Sequence, residues 1–89
     1  MPQITVKYLM AFSQVAGKKN EKIQLQKDAT LQDLLDHLYN RYGRKFKKLV
    51  RTDLENRSVL FVVNGEEKDI STILAEGDEV LISYPVGGG

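Results

Sequence analysis

Leu31, Leu34, Leu35, Leu38 and Tyr42 recur at intervals of three and four, and this stripe leaves few folds open to the 89 residues around it. On a helix these positions form one apolar face roughly 100° wide, with Gln32, Asp33, Asp36, His37 and Asn40 on the other side. Thr30 with Asp33 is an acidic variant of the Ser/Thr-x-x-Glu start signal, and Gly43 suits a left-handed C-terminal cap. Arg41, Arg44 and Lys45 complement the negative end of such a helix. A stripe this wide must be buried, and a chain of this length has one core to bury it in.

The partner is legible on both sides of the helix. Ile4, Val6 and Tyr8 alternate with Gln3, Thr5, Lys7 and Leu9, the period of a half-buried strand. Met10 to Ala16 has no clean period and ends at Gly17, which predicts an irregular or single helical turn. Residues 22–27, with Ile23 and Leu25 on one face, read as a strand returning antiparallel to the first. Residues 44–57 scatter Phe46, Leu49, Val50 and Leu54 among basic residues and fit either a short second helix or an anchored surface loop. The β-branched, apolar run from Ser58 to Val63 stops at Asn64-Gly65, a hairpin signal. After a brief return at 66–69, Ile70, Ile73 and Leu74 are expected to pack a turn closing at Glu76-Gly77-Asp78. Val80, Ile82 and Tyr84 alternate with Leu81 and Ser83 in a last strand.

The expected architecture is therefore α+β, one main helix packed on one face of a mixed sheet of about five strands. The first and last strands lie side by side. Their sets Ile4, Val6, Tyr8 and Val80, Ile82, Tyr84 face the helix, which leaves Leu9 and Leu81 on the outer face. Residues 1–84 form the domain. Pro85 cannot continue a ladder and the glycines have no side chains to anchor, so 85–89 read as a mobile tail.

Most catalytic chemistries lack their residues here. There is no Cys, one His, no Gly-rich phosphate loop before a helix and no metal-ligand spacing. His37 sits among Asp33, Asp36 and Asn40 on what reads as a solvated helix face. The formal charge is only +1, but residues 41–51 carry six basic groups and no acid, while 66–79 carry six acidic groups and one Lys. The basic run does not predict specific nucleic-acid binding, because cations after a helix C-terminus are expected from the dipole; an acidic protein partner fits better. The longest apolar run, Val59 to Val63, falls far short of the ~20 residues that span a bilayer, and MPQITVK has no signal-like stretch, so a cytoplasmic protein away from membranes is expected.

The tail's own reactive group is the carboxylate of Gly89. A Gly-Gly end has no Cβ atoms, so it can thread a narrow channel and present an unhindered carbonyl. A carboxylate is a poor electrophile at neutral pH, but another enzyme could make it an acyl-adenylate and then, by nucleophilic attack, a thiocarboxylate or an amide.

The whole chain resembles the β-grasp sulfur carriers of the MoaD/ThiS class, including the ubiquitin-like small subunit of molybdopterin synthase, and the related small archaeal modifier proteins. The likeness rests on ITVKYL with Gly17 after it, Thr30-Leu31-x-x-Leu34-Leu35, Val62-Val63-Asn64-Gly65, Leu74-x-x-Gly77-Asp78-Glu79-Val80, and Tyr84-Pro85-Val86-Gly87-Gly88-Gly89. It implies that a MoeB- or ThiF-like enzyme uses ATP to adenylate Gly89, which is then thiocarboxylated. Pro85, Val86, Gly87 and Gly88 would carry the sulfur into a MoaE-like large subunit, where it passes to a cyclic pterin precursor of the molybdenum or tungsten cofactor. The chain would be carrier and co-substrate, with no cofactor of its own and with catalytic side chains on its partners. The insert at 44–57 favours the molybdopterin branch over ThiS. The partner face would map near Leu9, Leu81 and Ser83. Family tails commonly have Pro where Tyr84 stands and a small residue at Gly87, and an aromatic is often found at Ser83. The same features suit a ubiquitin-like modifier joined through Gly89 to lysines, or a non-catalytic interaction module.

Overall fold

The computed structural model describes residues 1–55 and 59–83, with side chains for 1–51 and 59–83. Strand β1 (Gln3–Tyr8) leads through helix α1 (Ala11–Ala16) to β2 (Asn20–Gln24); helices α2 (Leu31–Tyr42) and α3 (Arg44–Glu55) follow, then β3 (Leu60–Val63), β4 (Glu66–Glu67) and β5 (Glu79–Ser83). The strands form one mixed sheet in the order β2-β1-β5-β3-β4, in which β1 and β5 are the parallel pair and the other pairings are antiparallel. Ile4, Val6 and Tyr8 together with Val80 and Ile82 point inward and share one core with Leu31, Leu34, Leu35 and Leu38 of α2. Tyr84 lies outside the described residues.

Helix α2 begins as its sequence predicts. The Thr30 hydroxyl accepts the Asp33 amide at 3.2 Å, and the Asp33 carboxylate accepts the Thr30 amide at 2.9 Å, so each satisfies an end donor of the other. The far end differs from expectation. Gly43 has φ 82° and ψ −161°, a conformation outside the left-handed helical region and open almost only to glycine. It turns the chain sharply enough for α3 to start at the next residue. That resolves 44–57 as far as Glu55 in favour of helix, and Phe46 and Val50 are fully buried.

Three further expectations are corrected. Met10 to Ala16 contains a real helix, because Phe12 needs a rigid mount to reach the core and the Met10 carbonyl accepts the Ser13 and Gln14 amides and the Ser13 hydroxyl. Strand β2 runs from Asn20 to Gln24 instead of 22–27, its register set by Val6 against Glu21 and Ile4 against Ile23. Of the trio expected to pack a turn, only Leu74 is buried; Ile70 is 39% and Ile73 61% exposed. The backbone explains this: Ile70 sits in a turn closed by the Thr72 amide donating to the Asp69 carbonyl, and the chain then passes the start of α2, with Leu31 and Gln32 amides donating to Thr72 and Ile70 carbonyls and the Leu74 amide donating to that of Ala29. Where Ile73 bridges to Thr30 the chain is extended, so the neighbours Ile73 and Leu74 face opposite ways and only one of them can face inward.

The turn that leads into β5 and the β3–β4 turn are locked together. Asn64 and Gly65, at φ 52° and 86°, make the tight β3–β4 turn. The Asn64 side-chain amide donates to Asp78 at 2.8 Å and its oxygen accepts the Glu79 amide at 2.9 Å. Asp78 also accepts the Ala75 amide at 2.8 Å. The acidic turn residues thus organise backbone, and no described group of His, Asp and Glu could hold a metal ion.

Candidate functional site

The sheet face away from α2 is where the residues expected to meet a partner collect. On it β5 places Leu81 between Lys7 of β1 and Val62 of β3, and Ser83 beside Leu60. Leu60, Val62, Leu81 and Ser83 are all half-buried, while Leu9 is 43% exposed and Met10 72% exposed at the end of β1. A groove of about 440 Å³ lies among Lys7, Leu9, Met10, Ser13 and Leu81. A Lys7–Glu79 ion pair at 3.2 Å borders the strip. The arrangement is an apolar patch with a charged rim, suited to docking a protein surface. Leu9, Leu81 and Ser83 are thus brought to one face, although β1 ends at Tyr8 and Leu9 follows it. Leu60 and Val62 were missed from sequence; the signal was the alternation with buried Phe61 and Val63, obscured because all four are apolar.

Strand β5 leaves the sheet at the end where β1 finishes and β3 begins. The expected tail, Pro85, Val86, Gly87, Gly88 and Gly89, lies outside the described residues and continues from there in sequence.

A second polar centre joins the two layers at that end. Glu21, on the inner face of β2, accepts the Tyr8 hydroxyl at 2.7 Å and the Tyr42 hydroxyl as well, with Arg41 at 3.5 Å and Lys18 at 4.0 Å. Burial opposes ionisation of Glu21, but hydrogen bonds from Tyr42 and Tyr8 and the charges of Lys18 and Arg41 outweigh it and hold the carboxyl below its usual range. Burial, and then the bond to Glu21, push the Tyr8 hydroxyl far above the ordinary phenol range. A phenol held so firmly protonated is a clamp and not a base. Starting β2 at residue 22 hid this centre, since extending the alternation back from Ile23 puts Glu21 on the inner face.

His37 is exposed and borders a polar groove with Asp33, Asp36 and Asn40. In the basic run, Phe46 is fully buried and Tyr42 is committed to Glu21, so neither ring is placed to stack a base. No described helix is long and apolar enough to cross a membrane.

A five-stranded mixed sheet around one main helix, with an apolar outer face beside the exit of its last strand, defines the β-grasp class of small sulfur carriers and ubiquitin-like modifiers. The chain belongs to the ThiS family, whose sequence profile matches residues 6–89. Its fold is similar to that of the putative molybdopterin converting factor subunit 1 from Pyrococcus furiosus, with a TM-score of 0.77 and 26% identity over 97% of this chain and 100% of that one. It is also similar to SAMP1 from Haloferax volcanii, with a TM-score of 0.72 and 26% identity over 98% and 99% of the two chains. The small archaeal modifier protein 1 from Methanosarcina acetivorans, at 20% identity and a TM-score of 0.70 over 100% and 98%, shares the fold. No curated protein sequence matches the chain closely enough to count as a relative. Carriers of this class are generally non-catalytic.

Proposed function

We propose that this chain is the small, sulfur-carrying subunit of a molybdopterin synthase, working in the cytoplasm through the carboxylate of Gly89. The observation that carries the reading is the likeness, over 97% of this chain and all of that one, to the Pyrococcus furiosus converting-factor subunit. The apolar outer strip supports it by offering a docking face beside the strand from which the tail continues.

In this reading a MoeB- or ThiF-like activating enzyme binds ATP, and a Gly89 carboxylate oxygen attacks its α-phosphorus. Pyrophosphate leaves and an acyl-adenylate forms. Hydrosulfide then adds to the acyl carbon, AMP leaves, and a C–S bond stands where a C–O bond was. Pro85, Val86, Gly87 and Gly88 carry the thiocarboxylate into the MoaE-like large subunit, whose side chains catalyse transfer to the cyclic pterin precursor. The carrier binds no cofactor in this scheme, and Leu9, Leu81 and Ser83 belong to the docking face.

The test is mass spectrometry of the chain after incubation with the activating enzyme, ATP and sulfide, followed by addition of the large subunit and the pterin precursor. Replacement of one oxygen by sulfur, then loss of that sulfur, is the expected sequence. The likeness to SAMP1 favours a second reading, an isopeptide bond between Gly89 and lysines of other proteins. Accumulation of such conjugates in cells, with no sulfur exchange in the assay, would decide for the modifier.

A further inference from the structure

The basic run becomes a surface with a definite place. Arg44, Lys45, Lys47, Lys48 and Arg51 are all exposed on α3, and none takes part in the described salt bridges. Spaced three and four apart, they repel one another along the helix. Phe46 packs against Tyr8 and Phe12, and the chain after α3 returns to the core at Val59 and enters β3 at Leu60, which pairs with Ser83. Helix α3 therefore crosses the end of the sheet at which β5 exits. The acidic run occupies the opposite end: Glu66 and Glu67 follow the β3–β4 turn, and Glu76 accepts the Gln3 amide at the start of β1. The two are separated along α2, whose 12 residues span ~18 Å. Net charge is +1, yet among the described residues the basic run of α3 and the acidic turn residues lie at opposite ends of the sheet, and β5 runs toward the basic one.

We propose that the exposed face of α3 docks against an acidic rim around the tail-accepting channel of the activating enzyme, and that the charge asymmetry orients the carrier tail first. This rests on the reading of Gly89 as the activated group. Complementary charge of this kind raises encounter rates and fixes orientation more than it adds final affinity.

The experiment measures thiocarboxylation against carrier concentration for the wild type, for Lys45→Glu with Lys48→Glu, and for Lys27→Glu with Lys68→Glu, which changes net charge equally but away from α3 and from the outer sheet face. In ~0.01 M salt, where the Debye length is ~30 Å, the α3 variant should show a KM raised about tenfold or more with kcat unchanged at saturation. In ~0.15 M salt, at a Debye length of ~8 Å, the difference should shrink, and the control should track the wild type throughout. Equal KM for all three proteins, or a loss confined to kcat, overturns the inference while leaving the chemistry at Gly89 standing. So does a submicromolar complex of the wild type with a single-stranded oligonucleotide in ~0.15 M salt, or a dimer that the α3 variant abolishes, since either assigns the face to another partner. No conversion of the wild type at either salt concentration removes the sulfur-carrier reading and the inference together.

Discussion

Glu21 shows how a single residue ties sheet to helix. It stands on the inner face of β2 opposite Val6, yet its carboxylate is bonded by Tyr8 of β1 and Tyr42 of α2. Its side chain is 10% exposed and Tyr8 is 2% exposed, so replacing it by alanine strands the buried Tyr8 hydroxyl without its acceptor and removes the link to Tyr42. Glu21→Ala should cost about 1–3 kcal/mol at neutral pH, read from urea unfolding. The folded-state pKa is lowered, so the stabilisation is present above the unfolded carboxylate pKa of about 4.3 and is lost as pH falls through the folded value. The gap between wild type and Glu21→Ala should therefore narrow as acid is added below that point. A gap of constant size would show that ionisation of Glu21 contributes nothing to the clamp.

At the scale of elements, what could be read from sequence depended on where an element finds its partners. Helix α2 announced itself because stripe, cap and capping box all lie within 14 residues, 30 to 43. Strands β1 and β5 and the Asn64-Gly65 turn did so for the same local reason. Helix α3 did not, since its anchors Phe46 and Val50 have meaning only once α1 and the end of the sheet are in place around them. Ile70 and Ile73 misled for the converse reason: apolar side chains were expected to be buried, but backbone pairing with α2 set which ones could be. Phe46→Ala should accordingly cost about 3–5 kcal/mol, as a core position does, whereas a loop anchor would cost far less. The two helix-ending glycines offer a finer test. No heavy atom lies within 4 Å of a Cβ built at either, so any cost of substitution is conformational. Gly17, at φ 77° and ψ 16°, is in the left-handed region that asparagine tolerates, and Gly17→Asn should cost under ~1 kcal/mol. Gly43 is not, and Gly43→Asn should cost about 1–3 kcal/mol, with equal denaturation midpoints for the two variants counting against this account.

On the scale of the whole molecule, the fold separates what must be stable from what must react. Leu81 lies on the outer face between Lys7 and Val62, so Leu81→Asp should weaken binding to the large subunit or activating enzyme by ~2 kcal/mol or more while barely moving the thermal midpoint. Unfolding of that variant where the wild type is folded would place Leu81 in the core. The tail carries the complementary prediction. If the chemistry is at Gly89, the position of the carboxylate matters more than the composition around it. Deleting Gly89 leaves Gly87-Gly88, an end that still reads Gly-Gly but whose reach is shorter by at most ~3.6 Å. A misplacement of about 1 Å can already cost 10²-fold in a well-oriented reaction, so thiocarboxylation should fail severely. One alanine added after Gly89 should be as damaging, because it displaces the carboxylate and adds a Cβ. No described core residue lies beyond Ile82, so both variants should melt with the wild type. Mass spectrometry after incubation with the activating enzyme, ATP and sulfide reads the outcome directly. Equal conversion of all three proteins would mean that the enzyme does not read the position of Gly89, and the tail would lose its claim to be the reactive element.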